Sequence, residues 1–280
     1  MKLLRVGQKG QEKPAALDKD GKIRDISSHI SDLNPDHLNF EAISKLQNAD
    51  LSSLPEISSS ERIGSCITKP GKFIAIGLNF SDHAAETGAE VPSEPITFMK
   101  ATSCINGPND DIEIVTGSKK LDWEVELGIV IGKHTKHISE AQSQDHILGY
   151  CLVNDISERE WQIEKMGQWV KGKSHDTYGP IGPYLVTKDE IADINNLKMS
   201  LDVNGQRMQT GNTNTMIFNV NIIVSYLSKF MSLQPGDIIT TGTPPGVGMG
   251  MKPQQFLKAG DTMRLSIENL GEQNSKVVAL

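Results

Sequence analysis

Residues 121–132, Leu-Asp-Trp-Glu-Val-Glu-Leu-Gly-Ile-Val-Ile-Gly, set three acidic side chains at the mouth of an apolar run. The stretch reads as a β-strand, because β-branched and apolar residues fill its second half. Alternation then puts Trp123, Val125 and Leu127 on one face and Asp122, Glu124 and Glu126 on the other. A solvated strand tolerates three neighbouring carboxylates, but one that runs on into Gly-Ile-Val-Ile has the composition of a buried sheet. Ionised carboxylates entering a core need a cation beside them. The stretch therefore points to a divalent-metal site with Glu124 and Glu126 as two of its ligands.

A chain of 280 residues is long enough to bury a substantial core, in one large domain or in one domain with a small companion. Its formal net charge of -7 and the lack of any Lys/Arg block leave a phosphate backbone without its electrostatic footprint, so no nucleic-acid partner is expected. The apolar runs fall short of the roughly 18 to 20 residues that span a bilayer, and Met-Lys-Leu-Leu-Arg-Val-Gly at the start has no signal-peptide core. A cytoplasmic protein without a membrane partner is expected. Cys66, Cys104 and Cys151 are odd in number, far apart and outside any CxxC pattern, which excludes a disulfide framework or a thiolate zinc site. They read as small buried apolar residues.

Residues 1–65 read as a small N-terminal β-rich domain. Segments 2–6, 13–17 and 22–26 are extended, and Asp20-Gly21 is a tight-turn signal between the last two. Asp36 is placed to cap a helix over 37–48. The larger domain, 70–280, opens with strands at 72–77 and 96–100, the second ending in Lys100. A lysine at a strand end ordinarily faces solvent. A further apolar strand over 146–155 ends in Asp155, which supplies a third carboxylate on a rigid element. A helix is expected over 156–168, a hairpin turn at Asn204-Gly205 and an amphipathic helix over 218–233. The glycine-rich 237–250 segment is not a nucleotide loop, because prolines interrupt it and its spacing is not GxGxxG. Strands dominate and regular βα alternation is missing, so a strand-rich α+β or β-roll fold is expected rather than a doubly wound sheet.

Between the first two strands, Ser81 or Asp82 can cap a short helix that sets His83 and Glu86 three apart on one face. A histidine oriented by a carboxylate is a base suited to activating water. The Gly/Pro-bounded segment 88–95 that follows is suited to a lid. Two lysines, Lys171 and Lys173, flank Gly172, where backbone can approach a ligand closely.

Six short motifs, in this order, resemble the fumarylacetoacetate hydrolase family. They are Asn79-Phe-Ser-Asp-His83-x-x-Glu86, Phe98-Met-Lys100, Leu121-Asp-Trp-Glu124-Val-Glu126-Leu, Asn154-Asp155-Ile-Ser-x-Arg159-x-x-Gln162, Gly172-Lys173-Ser-x-Asp-Thr177 and Thr241-Gly-Thr243-Pro. The match runs from about residue 70 to the end and looks most like bacterial members that cleave 2,4-diketo-3-deoxy sugar acids such as the L-fuconate derivative. It departs from the usual pattern at Phe80, Glu158 and Glu160, outside the ligand set.

The resemblance implies a mixed β-roll or β-sandwich core, a homodimer, and a Mg²⁺ or Mn²⁺ ion held by Glu124, Glu126 and Asp155, with Thr177 nearby. An all-oxygen donor set independently favours such hard cations over zinc. The implied reaction is hydrolysis of a carbon–carbon bond in a 2,4-diketo acid, an acylpyruvate or a sugar-acid derivative, releasing pyruvate. His83 and Glu86 would activate water, and Lys173 with Lys100 would neutralise oxyanion charge. Arg159, Gln162 and Thr243 would position the substrate. Oxaloacetate decarboxylation or keto–enol tautomerisation is the alternative use of the same enolate chemistry, and Asp122 is expected to support the site without binding metal.

Overall fold

The computed structural model of the chain describes residues 1–88 and 90–280; Ala89, in the segment read as a lid, lies outside the described residues. The apolar half of the 121–132 stretch forms the strand Val125–Ile131, and every residue of it is buried. Antiparallel beside it runs Ile147–Asn154, also buried throughout. On its other side lies Ile238–Thr240, followed by the parallel strand Phe73–Gly77 and the edge strand Ile96–Lys100. Continuous apolar composition is what a strand covered on both faces requires, and these central strands have it.

The sheet extends past Ile147–Asn154 through Leu185–Thr187 to Lys2–Val6, Lys13–Leu17, Ile23–Asp25 and Glu56–Ile57, giving ten strands. A second sheet of five strands runs Gln206–Asn212, Lys198–Val203, Thr262–Ile267, Gly271–Ala279 and Ile112–Ile114. Its inward residues Leu201, Leu265 and Val277 share one apolar core with Leu127, Leu152 and Ile239 of the large sheet. The fold is strand-rich α+β, with no closed barrel among the described residues. Among the described residues, no helix is long and apolar enough to cross a membrane.

The N-terminal segment forms the meander its turn signal predicts, with Gly21 at a φ of 78° that glycine accepts without strain. Arg62 ties this segment to the rest of the chain through Asp110 (Nε to Oδ1, 2.7 Å). All three cysteines are buried and free.

Four local expectations are corrected. The helix placed at 37–48 spans Phe40–Gln47, and its cap is Asn39, which accepts from Ala42 N; the backbone of Asp36 is held in a turn by Asn34. The 121–132 stretch is two strands, because Leu121–Asp122 turns aside at Trp123-Glu124 to pair with Ser157–Glu158. That pairing draws 157–158 out of the expected 156–168 helix and leaves a single wide turn at Glu160–Glu164. The amphipathic helix is shorter than 218–233; it spans Val220–Ser228 behind an Asn219 cap, with Ile223, Val224 and Leu227 buried.

Gly149 marks how tightly the central strands are set, since a Cβ there would lie 2.2 Å from the carbonyl oxygen of Val186. Gly149→Ala is therefore expected to destabilise the protein by about 2 to 3 kcal/mol through overpacking. The change in denaturation midpoint checks this; a midpoint equal to that of the parent would show that the neighbouring strand can shift.

Candidate metal centre

Strand register brings the three expected ligands together. Val125 pairs with Asn154, and Asp155 N donates to the Glu124 carbonyl at 2.9 Å, so the end of one central strand meets the start of the other. Glu124, Glu126 and Asp155 are all buried and offer carboxylate oxygens within 4.8 Å of one another. Glu126 is fixed through one oxygen, Oε2, by Thr240 Oγ1 at 2.5 Å and Gly242 N at 2.8 Å. Glu124 accepts from Arg159 Nη2 at 2.7 Å and Lys173 Nζ at 2.6 Å. Asp155 accepts from Lys100 Nζ at 2.5 Å and from the same Lys173 ammonium at 2.7 Å.

Asp122 stands outside this trio. It binds Arg159 Nε at 2.8 Å and accepts from the backbone of Gly248 (2.7 Å) and Met249 (3.0 Å), so it anchors both the guanidinium and the 246–250 loop. The cluster thus holds four buried carboxylates against three buried cations, Arg159, Lys173 and Lys100.

The imbalance falls on Glu126. Burial opposes ionisation of Glu124, but Arg159 and Lys173 outweigh it and hold its carboxyl at about 2. Burial likewise works against the charge of Lys173, and Asp155 with Glu124 overcomes it and raises the ammonium above its ordinary value. Among the described residues no cation is bonded to Glu126: burial, then the charges of Asp155 and Glu124, outweigh the more distant Lys173 and push its carboxyl well above the usual carboxylate range. A divalent cation would answer this surplus. Three carboxylates offering oxygen only, on rigid strand ends, suit Mg²⁺ or Mn²⁺. Glu124, Glu126 and Asp155 are the residues that would hold it.

A cavity of about 270 Å³ opens on these carboxylates, and its lining includes His83, Arg159, Gln162, Lys173 and Thr243. Phe80, rather than Ser81 or Asp82, precedes the helix Ser81–Thr87, without a side-chain cap. His83 Nδ1 lies 3.1 Å from Glu86 Oε2 within that helix, and Glu86 also accepts from Gly246 N at 3.1 Å. Gln162 Oε1 accepts from Arg159 Nη1 at 3.0 Å. Thr243 Oγ1 donates to the Val125 carbonyl at 3.0 Å and accepts from Gln209 Nε2 at 2.8 Å.

Two further residues of the motifs lie outside the cavity lining. Lys100 is buried rather than solvent-facing and does not line the cavity; it stands behind Asp155 and also donates to the Lys173 carbonyl. Thr177 is not in the lining either, and its hydroxyl accepts from Glu113 N at 3.0 Å. Sequence reasoning missed Thr240 and Gly242, the two groups that fix Glu126, and Gln209, which bonds Val125 N and Thr243 together. Glu158 was noted only as a departure. It is a buried acceptor for the backbone N–H groups of Lys119, Lys120 and Trp161. Gly172 proves a packing requirement: a Cβ there would lie 2.3 Å from the Glu158 carbonyl.

Fold and site together define an enzyme, and comparison with known proteins specifies which kind. The model of the fumarylacetoacetate hydrolase C-terminal domain matches residues 72–278. Over 274 residues the chain is 59% identical to a Burkholderia ambifaria protein that carries only a provisional hydrolase name, a match covering 98% of this chain and 97% of the other. It superposes on the fumarylacetoacetate hydrolase of psychrophilic Exiguobacterium antarcticum with a TM-score of 0.88 at 33% identity, covering 100% of both chains. It also superposes on maleylpyruvate hydrolase from Sphingobium sp. SYK-6, a structure containing manganese(II) and pyruvate, with a TM-score of 0.83 at 27% identity over 100% of this chain and 99% of that one. The chain belongs to the fumarylacetoacetate hydrolase family.

Loss of a directly bonded carboxylate should weaken metal binding more than loss of its support. Thr240→Val is expected to reduce Mn²⁺ affinity by roughly 10- to 100-fold, and Glu126→Gln by at least as much. Electron paramagnetic resonance of free Mn²⁺ measures both. Unchanged affinity in Glu126→Gln would remove Glu126 from the ligand set.

Proposed function

We propose that this enzyme is a divalent-metal-dependent hydrolase that cleaves the C3–C4 bond of 2,4-diketo acids and releases pyruvate. The observation that carries the reading is the oxygen-only triad in one cavity with His83, whose Nδ1 is held by Glu86. The presence of manganese(II) with pyruvate in the Sphingobium relative supports it. When bound, the cation supplies Lewis-acid polarisation of the 2-oxo group and charge to stabilise the departing enolate.

The chain's own residues account for the remaining steps. With Nδ1 engaged by Glu86, Nε2 of His83 takes a proton from the water that adds to C4. The C3–C4 bond then breaks, its electron pair goes to the pyruvate half, and the acyl half leaves as a carboxylic acid. Protonation at C3 completes pyruvate. Lys173, an ammonium whose charge is reinforced by Asp155 and Glu124, offsets negative charge developing in the cavity. Arg159, locked by Asp122, Glu124 and Gln162, keeps the carboxylates in a fixed orientation. The active form is proposed to be a homodimer.

A lactate-dehydrogenase-coupled assay with acetylpyruvate and Mg²⁺ or Mn²⁺ should show pyruvate release that excess chelator stops. His83→Ala is expected to lower kcat by about 10² to 10⁴. Full activity in chelator would refute the metal role. Full hydrolysis in His83→Ala would remove that residue as the base, whereas turnover of oxaloacetate without pyruvate release from any 2,4-diketo acid would favour decarboxylation or tautomerisation, which needs no activated water.

A further inference from the structure

Beside its carboxylates and their cations the cavity has a substantial apolar lining. Phe98 marks the boundary, with its ring centroid 5.3 Å from Lys173 Nζ and 5.1 Å from the ring of Trp169, edge to face. Trp169 is joined in the same lining by the apolar side chains of Ile76, Leu78, Ile96, Ile163 and Met249. This wall is built into the backbone. An ideal Cβ on Gly77, the last residue of its strand, would lie 2.5 Å from Cζ3 and 3.0 Å from Cη2 of Trp169, so the indole occupies space that only glycine leaves open.

The charges offer nothing to a second anionic group. Among the described residues, Arg159 and Lys173 are the lysine and arginine side chains that line the cavity. Both are bonded to carboxylates of the site. Four carboxylates against three cations leave one negative charge in surplus; a divalent cation reverses it to one positive charge, which the single carboxylate of a 2-oxo acid head neutralises. A carboxylate on the tail would then be desolvated without a partner. Hydroxyl groups on the tail fare little better against this wall, since among the described residues Ile76, Leu78, Ile96, Phe98, Ile163 and Met249 offer it apolar side chains and Trp169 offers only its indole N–H.

We infer that the enzyme selects 2,4-diketo acids whose acyl tail is an uncharged hydrocarbon, and that Trp169, seated on Gly77 and against Phe98, is the specificity-determining wall. The inference rests on the diketo-acid reading above and departs from the sugar-acid substrate that the sequence resemblance implied.

The test is binding rather than turnover. Mn²⁺-loaded protein is titrated calorimetrically with pyruvate, 2-oxobutanoate, 2-oxopentanoate and 2-oxohexanoate, and with 2-oxoadipate, which matches the last in length but ends in a carboxylate. Affinity is expected to rise about three- to fourfold per methylene, and 2-oxohexanoate should bind at least roughly tenfold more tightly than 2-oxoadipate. Gly77→Ala and Trp169→Leu should reduce the gain per methylene. Ile163→Lys, at a half-exposed position that can accept a charge without loss of the fold, should shift preference toward 2-oxoadipate. Pyruvate binding combined with a flat series, or with a preference for 2-oxoadipate in the parent protein, would overturn this inference alone. Failure of pyruvate itself to bind would overturn the diketo-acid reading and this inference with it.

Discussion

Buried negative charge is the constraint that organises this structure. Asp122, Glu124, Glu126 and Asp155 lie within or beside two central strands and are almost wholly shielded from bulk water, and ionised carboxylates are tolerated there only if cations and donors surround them. Arg159 answers Asp122 and Glu124, Lys173 bridges Glu124 and Asp155, and Lys100 closes the back of Asp155. Each of these cations comes from a different segment of the chain. The edge strand, the wide turn at Glu160–Glu164 and the short helix Val170–Lys173 are therefore tied to the same point. Removing one partner of such a buried pair typically costs about 3 to 5 kcal/mol. The site and the packing of those segments are consequently one energetic unit.

Backbone groups do as much of this work as side chains. The segment after Ile238–Thr240 gives its Gly242 N–H to Glu126, its Gly246 N–H to Glu86 and its Gly248 N–H to Asp122. Three acidic side chains with different tasks are thus held by one glycine-rich loop. Gly246 shows why the residue type is required: its φ is 101°, and a Cβ there would lie 2.0 Å from the Met208 carbonyl. The same loop contributes Met249 to the cavity wall. A nucleotide-binding role was excluded from its spacing, and the structure gives its glycines a different task, bringing amides close to carboxylates.

What the sequence disclosed follows from physical cost. Glu124 and Glu126 stood out because acids entering an apolar strand need an explanation, and Asp155 stood out because it ends another such strand. That these strands are neighbours was not legible, since pairing depends on register across distant segments. Thr240, Gly242 and Gln209 were illegible for a related reason: a threonine inside a strand, a glycine in a loop and a glutamine in a hairpin are ordinary residues until tertiary structure aims them. The helix expected over 156–168 failed although its spacing is helical, because pairing of Ser157 with Asp122 gains a strand contact that local propensity does not weigh. Asp36 and Asn39 are both competent caps, and Asn34, already engaged with the backbone of Asp36, settles the choice.

Glu126 differs from its neighbours in a way that bears on how the site is built. Glu124 and Asp155 are held by cationic side chains, whereas Glu126 is held by a hydroxyl and an amide, both on one oxygen. Neutral donors orient a carboxylate without cancelling its charge, so the electrostatic need stays on Glu126. Had a lysine stood where Thr240 stands, the cluster would balance without a metal and would have no reason to bind one. The surplus of one carboxylate, placed on a residue fixed by strand and loop donors that carry no charge, is the feature that makes a structural charge network into a candidate site for a divalent cation.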